Sequence, residues 1–420
     1  MNVDLHQFSG ACRCGEEHRL LTKYIRIEKG IVAKLGEIVD SLGLPKRCCI
    51  VCDSNTNVFA ALAGKALGDR LHPLRPAIVL NPDNLHADEI AVERVMTQLA
   101  VDTGWLLAVG SGTIHDVTRY VATQKGIPFV SFPTAASVDG FVSTVCAMTW
   151  KGFKTTIIGS APVAVIADTD IFANAPYRLT ASGIGDVLGK YTALADWEIA
   201  HILTGEPICR DIYAISEQAV REVRENLDGI RAMEPEACEK LLHALLMTGI
   251  AMQLWNDSRP ASGSEHHFSH FWEMERINKK LDALHGEKVG IGLLLAMDYY
   301  HRLGEVDDIA SHLVAYSGLP EEGLRRIYGE LFESTMEENT PDPLPEIDRD
   351  TLIEKWPQIA AVLRGLPDLD ELRADMKKAA CMTELEQIGL DASCIADSAT
   401  YSPYVRNRMT AMRLRKLTDL

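Results

Sequence analysis

The sequence predicts an α/β region followed by an all-helical one, on three observations. Up to about residue 170, short apolar runs alternate with amphipathic stretches; beyond about residue 180 only helical periodicity persists. A chain of 420 residues is also long enough for two cores. The division is expected at 170–180, around "FANAPYRLTASG", giving an amino-terminal part of residues 1–175 and a carboxyl-terminal part of residues 176–420.

In the first part "CCIVCD" (48–53), "AIVLN" (77–81), "WLLAVG" (105–110), "PFVSFP" (128–133) and "AVIADTD" (164–170) read as strands. Segments such as "DEIAVERVMTQLA" between them read as helices, and this alternation predicts a mainly parallel sheet covered by helices. In the second part "DVLGKYTALADWEIAHIL", "CRDIYAISEQAVREVRENLDGI", "CEKLLHALLMTGIAMQLW" and "KVGIGLLLAMDYYHRLG" fit helical spacing. Proline and acid between 338 and 370 mark turns between short helices, and "YVRNRMTAMRLRKLTDL" is expected as a basic terminal helix, packed or solvated and not a binding arm.

With 47% hydrophobic and 24% charged residues the chain can bury an ordinary globular core. A net charge of −17 argues against nucleic acid or an anionic membrane as the main partner, while leaving room for an anionic metabolite in a local cradle. The first residues lack a basic start followed by an apolar run, and no stretch is apolar for long enough to span a bilayer, so a cytoplasmic protein is expected. Ten scattered cysteines then read as reduced thiols. In "CRCGEEH", Cys12, Cys14 and His18 have zinc-ligand chemistry without a clear fourth ligand nearby, and accidental spacing is the other reading.

"WLLAVGSGTIHDVTRYVA" runs from a strand through Gly110, Ser111 and Gly112 into a helix, and exposed N–H groups at such a helix start favour phosphate oxygens. The third glycine of the usual dinucleotide fingerprint is missing, so a plain strand-to-helix connection remains the alternative. One strand later, Thr134, Ser137, Asp139 and Ser143 in "PTAASVDGFVS" stand near a carboxyl strand end, where ligands of parallel sheets collect; capping a helix is their other use. Asp53 ends another strand, where a carboxylate can accept from a ribose and repel a 2′-phosphate, favouring NAD over NADP, or can simply form a turn.

"SGSEHHFSHFWEM" (262–274) carries His266, His267 and His270. On a helix His266 and His270 share a face and His267 is turned about 100° away. Asp186, read as lying just inside a helix start, and His285, immediately before another, could join one of these imidazoles around a divalent ion with an open position for substrate.

The ordered set "VGSGTIHD", "PTAASVDGFVS", "SGIGDVLGK", "RPASGSEHHFSH" and "HGEKVGIG" resembles the superfamily of iron-containing alcohol dehydrogenases, glycerol dehydrogenase and dehydroquinate synthase, over roughly residues 20–300. The resemblance implies a dehydroquinate synthase-like fold: a dinucleotide-binding α/β domain, a helical metal-binding domain and an active site in the cleft between them. It implies Asp186, His266 and His285 as metal ligands, with His270, Asp139 and Asp186 at the substrate and His267 as a bystander. Asp53, Gly110, Ser111, Gly112, Thr113, His115, Asp116, Thr134, Ser137 and Ser143 fall in its NAD-contacting stretches.

The activity expected from the resemblance is interconversion of dihydroxyacetone phosphate and sn-glycerol 1-phosphate with NAD or NADP and one divalent metal, Zn²⁺, Ni²⁺ or Fe²⁺. A homo-oligomer, a dimer in the first place, goes with it. A polyol dehydrogenase, a dehydroquinate synthase-like cyclase and a noncatalytic metal- or nucleotide-binding protein are the rival readings.

Overall fold

A computed structural model of the chain describes residues 1, 3–68 and 76–420. It forms two compact units: residues 1–151, 155–184 and 225–257 make the first, and residues 152–154, 185–224 and 258–420 the second. Neither unit is one continuous segment, because the chain passes between them several times.

The first unit begins with a small antiparallel pair, β1 (Gly10–Ala11) and β2 (Glu17–His18). It then builds a sheet from β3 (Tyr24–Glu28), β4 (Cys48–Asp53), β5 (Ile78–Leu80), β6 (Trp105–Gly110), β7 (Phe129–Pro133) and, after the two-stranded pair β8 (Val145–Trp150) and β9 (Phe153–Ile158), β10 (Ala164–Asp168). The helices α1 (Leu35–Ser41), α2 (Asn57–Gly68), α3 (Glu89–Gln98) and α4 (Gly112–Lys125) connect them. The order is β3-β10-β7-β6-β4-β5, and every pairing is parallel.

All five expected strands form within two residues of their expected limits, and β10 stops two residues early at Asp168, where the carboxylate caps the helix that follows by accepting from Asp170 N–H. The sheet also gains β3 as its edge, whose buried Ile25 and Ile27 alternate with Arg26 and Glu28. Cys48, Ile50 and Cys52 of β4 join one core and Cys49 and Val51 the other. Burial on both faces explains why the central strands read as continuous apolar runs.

Chain order reverses at β4 and β6: β4 is followed by its neighbour β5, and β6, on the other side of β4, is followed by β7. The carboxyl ends of β4 and β6 therefore flank a topological switch point, the place where open α/β sheets bind ligands.

The chain continues through α5 (Thr169–Phe172), α6 (Tyr177–Leu188), α7 (Lys190–Thr204), α8 (Arg210–Glu225), α9 (Leu227–Arg231), α10 (Pro235–Trp255), α11 (Ser264–Glu273) and α12 (His285–Gly304). From residue 180 on, the described residues hold helices and turns and no strand beyond an isolated bridge, as expected. The carboxyl end is not the expected basic helix: only Ala411–Leu414 is α-helical, followed by a 3₁₀ turn. Arg413 is buried there with Asp342, so its charge serves tertiary packing and not a solvated helical face. No helix among the described residues is long and apolar enough to cross a membrane.

Inside the second unit α11 and α12 pack closely, and glycine permits it. A Cβ at Gly292 would lie 2.5 Å from the Glu265 carbonyl oxygen, and one at Gly185 would lie 2.2 Å from that of Gly286. Gly292→Ala should therefore cost about 1–3 kcal/mol in spite of alanine's better helix propensity. Urea unfolding followed by circular dichroism checks this; an unchanged or higher midpoint would show that the two helices can separate freely.

Candidate functional site

At the switch point, β6 ends in Gly110 and the chain turns through Ser111, whose extended backbone (φ −100°, ψ −165°) opens α4 at Gly112. A Cβ at Gly110 would lie 2.8 Å from Ile114 Cγ1, so the tight turn requires glycine. Ser111 Oγ lies 2.9 Å from Ser137 Oγ, and Thr134 N–H donates to Gly110 O at 3.0 Å, which ties the loop after β7 to the turn. Asp53 at the end of β4 accepts from Thr56 N–H (2.9 Å) and Thr56 Oγ1 (3.0 Å), and the same hydroxyl is 3.0 Å from Val109 O. The turn-forming use of Asp53 is thus realised, and it locks the ends of β4 and β6 together.

Other residues of these stretches support the loops from beneath. His115 is fully buried, its Nδ1–H donates to Ser111 O at 2.9 Å, and burial pushes its imidazole down to about 3. Asp116 pairs at 2.8 Å with the buried Arg119, whose guanidinium also donates to Val145 O at 3.0 Å and to Gly140 O. Ser143 is buried and accepts from Val145 N–H at 3.0 Å. Asp139 is nine-tenths buried in the same loop, and Thr113 stands half-exposed in the first turn of α4.

The second constellation lies in the helical unit. Asp186, His266 and His285 each offer one ligand atom, and the three atoms lie within 4.8 Å of one another. Asp186 sits near the carboxyl end of α6 and not just inside a helix start, because α6 runs on to Leu188 and α7 begins only at Lys190. His266 is in α11, with Nε2 3.7 Å from Asp186 Oδ1, and His285 is the first residue of α12.

Their partners were not read from the sequence. Glu265 Oε1 accepts from His266 Nδ1 and from Gly263 N–H, both at 2.7 Å, and Oε2 accepts from Thr192 Oγ1 at 2.5 Å. Burial alone would raise the Glu265 carboxyl, but these donors outweigh it and hold it low. Glu273 Oε1 accepts from His285 Nδ1 at 3.0 Å, and Lys154 and Lys288 stand 3.1 and 3.3 Å from the same carboxylate. With Nδ1 of both histidines donating, each Nε2 presents a lone pair. Lys190 Nζ donates to Asp186 Oδ1 at 2.7 Å; burial opposes ionisation, yet Lys190, His285 and His266 together hold the Asp186 carboxyl at about 2.

His270, one turn beyond His266, has its ring centroid 5.8 Å from those of both His266 and His285. Burial pushes its pKa well below the usual histidine range, and its Nδ1 has no hydrogen-bond partner among the described residues. His270, Glu273 and His285 form a second group close enough for an ion. Two ammonium groups already neutralise Glu273, which makes that group the poorer metal site. His267 is buried and outside both groups.

The profile of the iron-containing alcohol dehydrogenase family matches residues 26–176. A glycerol-1-phosphate dehydrogenase [NAD(P)+] of Geobacillus stearothermophilus is 33% identical over 413 residues, covering 96% of this chain and 94% of that protein. That of Bacillus subtilis is 40% identical, covering 62% of this chain and 67% of the relative, and that of Methanosarcina barkeri is 37% identical, covering 67% and 77%. Among solved structures, an archaeal halo-thermophilic Red Sea brine pool alcohol dehydrogenase aligns with TM-score 0.64 at 15% identity over 96% of this chain and 95% of that one. Glycerol dehydrogenase of Schizosaccharomyces pombe aligns with TM-score 0.54 at 18% identity, over 92% and 93%. The structural likenesses show the fold of the iron-containing alcohol dehydrogenases and glycerol dehydrogenases, as the resemblance implied.

Asp196 of α7 fixes where α11 begins. Its Oδ2 accepts from Ser264 N–H (2.8 Å) and Ser264 Oγ (2.9 Å), and its Oδ1 from Tyr300 OH (2.5 Å) and Ala411 N–H (2.7 Å). Burial outweighs these donors and pushes the carboxyl up to about 6. A carboxyl raised by folding contributes its stabilisation in full below about pH 4 and loses it as pH rises through about 6. The stability gap between the wild type and Asp196→Asn should therefore narrow by about 2 kcal/mol between pH 4.5 and 7.5, the part of that shift which falls within this range. Urea titrations across the range check it, and a constant gap would contradict the assignment.

Proposed function

The chain belongs to the glycerol-1-phosphate dehydrogenase family, and from that premise we propose that it interconverts dihydroxyacetone phosphate and sn-glycerol 1-phosphate with NAD or NADP. The observation that carries the reading is the Asp186, His266, His285 cluster, in which both histidines turn Nδ1 to a carboxylate. One carboxylate and two such imidazoles suit Zn²⁺, Ni²⁺ or Fe²⁺ and leave an open coordination position.

When bound, the divalent ion supplies Lewis-acid polarisation of the ketone and the nicotinamide supplies the hydride. The protein's own groups do the rest. Glu265 and Glu273 fix the tautomers of His266 and His285 and keep both rings oriented. Lys190 keeps Asp186 ionised in a buried setting. His270, neutral because it is buried, and Asp139 are assigned to the substrate hydroxyls, with the Nδ1 of His270, which has no hydrogen-bond partner among the described residues, able to hold a proton of the alcohol.

We assign the nucleotide to the switch point of the parallel-sheet unit, its diphosphate on the Gly110–Gly112 turn and the amino end of α4, with Asp53 favouring NAD at the ribose. Thr113, His115, Asp116, Thr134, Ser137 and Ser143 shape or line that place. A cytoplasmic homodimer completes the proposal.

NADH oxidation with dihydroxyacetone phosphate should be rapid and should yield sn-glycerol 1-phosphate on chiral analysis. The unphosphorylated ketone should react far more slowly. Equal turnover of both ketones would favour a polyol dehydrogenase, and NADH that is not consumed would favour a cyclase. His266→Ala and Asp186→Asn should each lower kcat by about a hundredfold or more, equivalent to several kcal/mol of lost carbonyl polarisation.

Glu265→Gln tests the supporting shell separately. It should weaken divalent-metal affinity about 10- to 100-fold in chelator competition while leaving all three ligands in place. Unchanged affinity would mean that the Glu265 contact does not orient His266.

A further inference from the structure

The amino-terminal hairpin gathers metal-binding groups for which the proposed reaction has no use. β1 and β2 pair Gly10 with His18 and Ala11 with Glu17, so the turn between them presents Cys12 and Cys14 opposite His18. Cys12 N–H donates to Glu16 O at 2.9 Å, Gly15 N–H donates to Cys12 O at 3.0 Å, and Gly15 adopts φ 92°, a backbone that favours glycine. The turn is built to fold the chain back sharply between its two cysteines and its histidine.

The side chains converge. Cys14 Sγ lies 3.2 Å from His18 Nε2, and the ligand atoms of Cys12, Cys14 and His18 all lie within 4.8 Å of one another. His18 is nine-tenths buried, and its Nδ1 is 3.1 Å from Leu254 O. A carbonyl can only accept, so Nδ1 carries the proton and Nε2 turns its lone pair toward the thiols. That is the orienting hydrogen bond a metal-bound imidazole uses. None of the ten cysteines takes part in a disulfide.

We infer that Cys12, Cys14 and His18 form a second metal site, a thiolate site for zinc that closes the amino-terminal hairpin. Two thiolates and one imidazole are a soft donor set and favour Zn²⁺ over the harder divalent ions that oxygen ligands select. Binding displaces the proton from each thiol to solvent, so affinity falls with pH, by up to about a hundredfold per unit where both thiols are protonated. The ion then supplies cross-linking that paired strands of two residues each cannot supply.

The test uses the full-length protein, purified reduced, loaded with zinc and passed over a chelating resin. Wild type should retain about one equivalent of zinc per chain more than Cys14→Ser or Cys12→Ser, at a metal–sulfur distance of about 2.3 Å by X-ray absorption. Cobalt-loaded wild type should show a thiolate-to-cobalt charge-transfer band that Cys14→Ser loses and Glu265→Gln keeps. Should the cysteine variants fail to fold, wild type alone decides: chelation should expose residues 10–22 to limited proteolysis and added zinc should protect them. Absence of sulfur from the zinc shell of reduced wild type, or a Cys14→Ser protein with full zinc content, would overturn the inference and leave Cys14 and His18 as a thiol–imidazole hydrogen bond.

Discussion

The arrangement of the helical unit depends on one buried carboxylate. Asp196 gathers the start of α11, the hydroxyl of Tyr300 from α12 and the N–H of Ala411 from the carboxyl-terminal segment. A helix start leaves unsatisfied N–H groups, and here one of them is met by a charged oxygen from another helix instead of by a residue of the same loop. The amino end of α11 is thereby pinned in rotation as well as position, and rotation decides which histidines of α11 face Asp186. A rise in the Asp196 pKa is the measure of what this costs: burial disfavours the charge even with four donors around it.

The same compromise is repeated around the ligand cluster. Asp186 and Lys190 are both fully buried and form an ion pair at 2.7 Å, and Glu273, largely but not fully buried, meets two lysines and a histidine. Buried ion pairs add little net stability, because desolvation offsets their attraction. What they provide is fixed charge and fixed tautomers before any ligand arrives. Close helix contact at Gly185 and Gly292 is what brings these groups together, since even one methyl group at either position would force the backbones apart.

Much of this was legible. The apolar runs located the four central strands β4, β6, β7 and β10 because burial on both faces demands them, the shorter run of the edge strand β5 was also apolar, and the glycine turn after "WLLAVG" fell on the topological switch point. The edge strand β3 was missed although Ile25 and Ile27 alternate with charged residues, a pattern of only five residues that is easily taken for loop. Glu265 stood in the quoted "SGSEHHFSHFWEM" without a role, and its signal was adjacency to His266, a spacing that has no helical meaning and works only because the side chain folds back across the helix start. Lys190 was four residues from Asp186, a readable spacing, but the helix was placed to begin at Asp186 and not to end beside it. Lys154 and Lys288, far from each other in sequence, meet at Glu273 only through tertiary packing.

Three histidines in five positions end in three environments, and the reason is electrostatic as much as geometric. His266 has a carboxylate at Nδ1 and another facing Nε2, so it is held where a cation is welcome. His270 lies on the same face, but burial pushes its pKa well below the usual range and its Nδ1 has no hydrogen-bond partner among the described residues. His267 is turned away; burial and the charges of Arg408, Arg406, Arg259 and Arg413 drive its pKa well below the usual range. A cation at that ring would face four guanidinium groups, so the arginines enforce what the helical rotation begins and keep the middle histidine apart from the Asp186, His266, His285 cluster.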